Sequence, residues 1–135
     1  MQIEPALNHI NIFTHNMDRL IRFYGDILGF KIGYRPPFSV QGSWLYLQGN
    51  PLIHLVKTDK PALNIDSAVN HFALTGKGLA EFLELLRSHN VTYNIRIVPE
   101  IETHQVVVSD PDGNMFEVLF EGKEAKGVNI EAYNG

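Results

Sequence analysis

The sequence predicts an α+β protein built from two βαβββ modules. Three observations predict it. Stretches that alternate apolar and polar bracket two stretches with helical spacing. The order strand, helix and three strands occurs twice. Two landmarks also recur in step: LNHIN around His9 returns as VNHFA around His71, and PLIHLV around His54 returns as MFEVLF around Glu117, shifts of 62 and 63 residues. A repeat of this kind implies duplicated modules related by a pseudo-twofold axis, within a single domain.

The elements follow in order. ALNHINIF (6–13) alternates and reads as a strand. In the next stretch Met17, Leu20, Ile21, Tyr24, Ile27 and Leu28 recur at three- and four-residue steps, one face of a helix. Asn16 suits its N-cap and Gly29 its C-terminal stop. FKIGYR is a strand and RPPFSVQG a loop. WLYLQ and LIHLVK are strands joined at GNP, a hairpin signal. Module one thus covers about residues 6–57. The polar, proline-containing stretch 58–67 reads as a linker.

Module two covers about 68–120. SAVNHFALT is its first strand. Residues 77–89 are helical, with Leu79, Phe82, Leu83 and Leu86 as the apolar stripe and Asn90 at the end. VTYNIRIV and THQVVVS are strands. DPDG is a turn, with Pro111 preset for its second position and Gly113 free for positive φ. MFEVLFE is the last strand. The tail, 121–135, has weak periodicity and is expected to be peripheral.

Composition narrows the function. Hydrophobic residues make up 44% and charged residues 19% of the chain, which excludes disorder. The net charge is -4 and no basic run interrupts it, which argues against a nucleic-acid partner. No apolar stretch approaches bilayer length, and MQIEPALNH lacks the pattern of a signal peptide, so a membrane partner is not expected. There is no cysteine, which rules out disulfides and thiolate metal sites and suits a cytoplasmic location.

The chemistry begins with Glu117, a carboxylate in an otherwise apolar strand. Desolvating such a charge is expensive unless a cation or hydrogen bonds compensate. Strand alternation puts His9, Asn11 and Phe13 on one face and Ile10 and Ile12 on the other. By the same rule His54 opposes Ile53 and Leu55, His71 opposes Phe72 and Leu74, and Glu117 opposes Phe116 and Val118. The bulky apolar residues belong against the helices. Packed about a twofold axis, His9, His54, His71 and Glu117 can converge on one point. Three imidazoles and a carboxylate suit a divalent ion such as Fe, Ni, Co, Zn or Mn.

The residues LNHINIFTHNMDRLIRFYGDILGF, LIHLV, VNHFAL and SDPDGNMFEV together resemble the vicinal oxygen chelate superfamily: glyoxalase I, bleomycin and fosfomycin resistance proteins, and extradiol dioxygenases. The resemblance covers about residues 6–120. It implies that the modules form an incomplete barrel around a metal, with ligand positions at His9, His54, His71 and Glu117. It also implies a homodimer. His54 stands where glyoxalase I-like isomerases carry Glu or Gln, and such carboxylates also move the substrate proton. His54 and Glu117 are therefore the catalytic candidates. The trio His9, His71 and Glu117 matches the ligand set of the dioxygenases and fosfomycin-modifying enzymes. The run VVVSDP lacks the dioxygenase tyrosine, and no cluster of Lys, Ser and Tyr for a phosphonate is present.

The expectation is a divalent-metal-dependent enzyme acting on a small molecule with vicinal oxygens, a lyase/isomerase or a dioxygenase. The alternative is a non-catalytic small-molecule-binding protein of the bleomycin resistance type. Around the quartet, Asn11 is a candidate supporting donor or a polar cavity wall. Trp44 and Tyr46 line the cavity or pack on the sheet. Tyr34 and Phe38 flank a Pro36-Pro37 loop that closes over substrate or lies static on the surface. Arg22, Lys31, Arg35 and Arg96 are candidates for an anionic substrate or are simply solvated. His15, His89 and His104 fall outside the repeat register.

Overall fold

The computed structural model describes residues 1–60 and 68–135. The chain divides into two compact units, Met1–Leu63 and Asn64–Gly135. Most of the expected linker, and the first residue of SAVNHFALT, lie outside the described residues.

Module one contains β1 (Ile10–Thr14), α1 (Met17–Leu28), β2 (Lys31–Gly33), β3 (Gly42–Leu47) and β4 (Asn50–Lys57). Module two contains β5 (His71–Thr75), α2 (Leu79–Ser88), β6 (Tyr93–Val98), β7 (Thr103–Ser109) and β8 (Met115–Glu121). The βαβββ order therefore occurs twice. The sheets run β1-β4-β3-β2 and β5-β8-β7-β6. In each, the first strand lies parallel to the last and the remaining pairs are antiparallel. A parallel neighbour needs a crossover, which the helix and two intervening strands supply. First and last strands thus become neighbours, and these strands carry the landmark residues. The registers also agree: His54 faces Asn11, two residues beyond His9, and Glu117 faces Ala73, two residues beyond His71.

Alternation sets the cores as expected. Ile12, Leu45, Ile53 and Leu55 are buried in module one with Leu20, Tyr24 and Ile27 of α1, which lies against β2, β3 and β4. In module two Val106, Val108, Phe116, Val118 and Phe120 are buried, as are Leu79, Leu83 and Leu86 of α2. Each such side chain contributes about 1.5–3 kcal/mol relative to staying exposed.

The ends of the elements refine the sequence reading. The β3–β4 hairpin turns at Gln48 and Gly49, both at positive φ, and not at GNP. Two positive-φ residues match the strand twist in a two-residue hairpin, and this leaves Pro51 inside β4. The DPDGN turn is held by Asp110. Its Oδ1 accepts from the backbone N–H of Asp112 and of Asn114, both at 2.9 Å, and its Oδ2 accepts from Asn114 Nδ2 at 2.8 Å.

The helix caps differ. Asn16 Oδ1 accepts from Arg19 N–H at the start of α1 (3.2 Å), and Gly29 closes its end at φ 75. The start of α2 has no local side-chain cap. Glu124 Oε2 accepts from the N–H groups of Gly78 and Leu79, at 2.7 and 3.1 Å. The tail also pairs Tyr133 with Tyr93 by two backbone bonds of 3.0 Å, and Tyr133 Oη donates to Asn90 Oδ1. The tail is therefore a structural part of module two, correcting its reading as peripheral. Its weak periodicity concealed contacts made by single residues.

Candidate metal centre

His9 sits just before β1 and His54 in the middle of β4, so the parallel pairing sets the two rings side by side. Their centroids are 3.9 Å apart and their planes 12° from parallel. On its other face His54 stacks on Trp44 of β3, again at 3.9 Å and with 9° between planes. Register explains this, because Trp44 lies directly opposite His54. Phe38 packs at a tilt on Trp44 with centroids 6.2 Å apart, and the Arg35 guanidinium lies over Phe38. Trp44 is thus committed to the stack. Tyr46 donates from Oη to the carbonyl of Tyr34 at 2.6 Å.

The stack constrains His54. It buries the ring, and Nε2 donates to the carbonyl of Pro51 at 3.1 Å. Burial first, then the neighbouring His9, lowers its pKa below the ordinary 6.5 despite the opposing hydrogen bond to Pro51. The neutral ring keeps one free lone pair, on Nδ1. Imidazole lone pairs lie in the ring plane. The two rings lie nearly parallel and stacked, so in this arrangement His9 and His54 direct their lone pairs into separate planes and not to a common point.

Module two has different geometry at the same positions. Glu117 is 3% exposed, and its Oε1 lies 3.6 Å from His71 Nε2. Arg96 of β6 donates from Nη1 to the same oxygen at 3.4 Å. Val107 stands opposite Glu117, where module one has Trp44 opposite His54. With no ring to stack on, Glu117 faces His71 and Arg96. Two ligands each about 2.0–2.2 Å from one ion sit roughly 3.3 Å apart in a tetrahedral shell. The His71–Glu117 spacing is close to that. The pair fits a divalent ion by donor chemistry and by distance.

The structure brings His9 together with His54, and His71 together with Glu117. Among the described residues no three His, Asp or Glu side chains stand as a ready ligand cluster. Elsewhere, His89 Nδ1 lies 3.0 Å from the carbonyl of Leu85, and His104 Nδ1 is buried without a hydrogen-bond partner. Two contacts were not foreseen. Asn8 Oδ1 lies 2.8 Å from His9 Nδ1, and Asn70 Oδ1 lies 2.8 Å from His71 Nδ1. The signal was present in the repeated Asn-His of LNHIN and VNHFA. In module one a cavity of about 460 Å³, lined in part by Leu7, Asn8, Asn50 and Pro51, opens beside the residues that hold the two rings.

A family model described as the Glyoxalase/Bleomycin resistance protein/Dioxygenase superfamily matches residues 6–118. The chain belongs to this superfamily. Solved structures agree with the glyoxalase/dioxygenase fold. A glyoxylase/bleomycin resistance protein/dioxygenase domain from Frankia sp. EAN1pec aligns with TM-score 0.72 and 16% identity, over 88% of this chain and 99% of that one. The fosfomycin resistance protein FosX from Listeria monocytogenes aligns with TM-score 0.68 and 18% identity, over 87% and 93%. A mutant of that protein, complexed with Mn(II) and 1S,2S-dihydroxypropylphosphonic acid, aligns with TM-score 0.70 and 17% identity, over 92% and 98%. At these identities the likeness concerns the fold.

Proposed function

We propose that this member of the superfamily is a divalent-metal-dependent enzyme acting on a small molecule with vicinal oxygens, by lyase/isomerase or dioxygenase chemistry. The observation that carries the reading is the pair formed by His71 Nε2 and the buried Glu117 Oε1 at 3.6 Å. His9, His71 and Glu117 are the proposed ligands, for an ion of the Fe, Ni, Co, Zn or Mn group. A bound ion would supply Lewis acidity, holding adjacent substrate oxygens and stabilising negative charge on them. The Mn(II) and dihydroxy phosphonate held by the Listeria structure support that class of ligand.

The chain's own residues divide the remaining work. His54 is neutral near pH 7, with Nδ1 free to take a proton, so it is the proposed base. The Trp44 and His9 rings fix its plane. Arg96 balances the charge of Glu117 when no ion does. We infer in addition a homodimer in the cytoplasm, without nucleic-acid or membrane partners. The net charge of -4, the lack of cysteine and the absence, among the described residues, of a helix long and apolar enough to cross a membrane support that placement.

A second reading is a small-molecule-binding protein without catalysis. The ring stack and the adjacent cavity in module one favour it, since aromatic walls suit a non-covalent ligand. Elemental analysis of untagged protein, purified anaerobically without chelator, separates the two. One equivalent of metal per chain is expected. No metal, even after each ion is added back, contradicts the enzyme reading and leaves the binding protein.

A further inference from the structure

Adjacent side chains on an extended strand point to opposite faces and do not meet. At the entrance to the first strand of each module, where Asn8, His9 and Asn70 stand outside the strand, neighbouring side chains do meet. Asn8 reaches His9 and Asn70 reaches His71, each by Oδ1 to Nδ1 at 2.8 Å. The two couples occupy equivalent places in the repeat: Asn8-His9 immediately precedes the residues of β1 that pair with β4, and Asn70-His71 straddles the start of β5, where His71 pairs with Met115 of β8. The same contact at the same distance thus recurs in both halves.

Its chemical consequence is specific. An amide oxygen only accepts, so the ring nitrogen facing it carries the proton. A neutral imidazole has one N–H, and its lone pair then falls on Nε2. In module two Nε2 is the atom that faces Glu117 Oε1. A neutral His71 held this way sets two acceptors against each other, an arrangement that a cation between them satisfies. Without Asn70, the ring is free to place its proton on Nε2 and donate to Glu117 directly, which removes the lone pair.

We propose that Asn8 and Asn70 are positioning residues, a duplicated device that holds His9 and His71 as Nδ1–H tautomers and presents Nε2 of each as the ligating atom. The word ligating rests on the metalloenzyme reading. The tautomer assignment stands apart from it.

The test has two readouts on the full chain. Nitrogen chemical shifts of the imidazole rings, at a pH where both are neutral, report the tautomers in metal-free protein. Competition titration with Mn(II), Fe(II), Co(II), Ni(II) and Zn(II) reports affinity. Wild type is expected to show both rings as Nδ1–H. Asn8→Ala and Asn70→Ala are each expected to mix the tautomers and to weaken metal binding about 10–100-fold, the usual cost of losing a partner that orients a ligand. Asn70→Asp, which keeps the acceptor, is expected to restore both. Thermal unfolding of each variant confirms that it is folded.

Nε2–H rings in wild type overturn the proposal. So do alanine variants with unchanged tautomers and unchanged affinity, which would make the asparagines merely structural. Nδ1–H rings in a wild-type protein that takes up none of Mn(II), Fe(II), Co(II), Ni(II) or Zn(II) overturn the metalloenzyme reading and the ligating role with it, while the tautomer assignment survives. The two failures are thereby distinguishable.

Discussion

The two modules share one topology, one strand register and one Asn-His couple, yet equivalent positions on their last strands do opposite things. His54 in β4 is a filling between two rings. Glu117 in β8 is a buried acceptor facing His71 and Arg96. The residue opposite on the neighbouring strand contributes to the difference. Trp44 gives His54 a flat surface to stack on, whereas Val107 gives Glu117 none. Duplication thus fixes where the two side chains stand, and local chemistry decides whether the position becomes a ring stack or a buried charged acceptor.

Substitutions break or sharpen this contrast to different degrees. The largest effect is expected from His71→Ala, which leaves Glu117 with Arg96 alone and should abolish tight metal binding; isothermal titration with Mn(II) or Zn(II) measures it. Asp110→Ala comes next. It removes the buried carboxylate that accepts from the N–H groups of Asp112 and Asn114 and from Asn114 Nδ2, so a loss of about 3 kcal/mol is expected in urea unfolding. The module-one hairpin is held differently, by Asn50 Nδ2 donating to the carbonyls of Gln48 (3.1 Å) and Leu47 (3.5 Å).

Glu124→Ala uncaps α2 and is expected to cost about 1 kcal/mol, comparable to Asn16→Ala at α1. Thermal melts of both would show that a cap supplied across 45 residues, from Glu124 to Leu79, equals a local one.

The smallest change is expected from Trp44→Leu. It uncovers His54 and should let its pKa rise toward 6.5, which ring-proton titration by NMR follows. The sign for stability is fixed. A histidine depressed in the folded state contributes stability that is present above pH 6.5 and lost as pH falls through its folded value. Trp44→Leu should therefore shrink that acid-side loss.

The particular residues show what a sequence reveals. The strand alternation around Ile53, Leu55, Phe116 and Val118 identified the buried face, because period two leaves no other assignment for apolar pairs flanking a polar residue. The landmark spacing identified first and last strands as equivalent, and the fold makes them neighbours. The stack of His54 on Trp44 was not legible, since it depends on register across the bulged β3–β4 pair. Glu124 was hidden for another reason: nothing local marks a carboxylate that caps a helix far away in the chain. The Asn-His couples were visible as letters, but the alternation rule that found the faces argues against neighbours touching.

The central claim is that Glu117 and His54, equivalent by duplication, are unequal in chemistry. The most direct test is a paired metal titration of Glu117→Ala and His54→Ala against wild type, with circular dichroism confirming that both fold. Loss of stoichiometric binding in Glu117→Ala, with affinity kept within a few-fold in His54→Ala, is the predicted result. Equal loss in both, or loss only in His54→Ala, would contradict the account and return His54 to the ligand set.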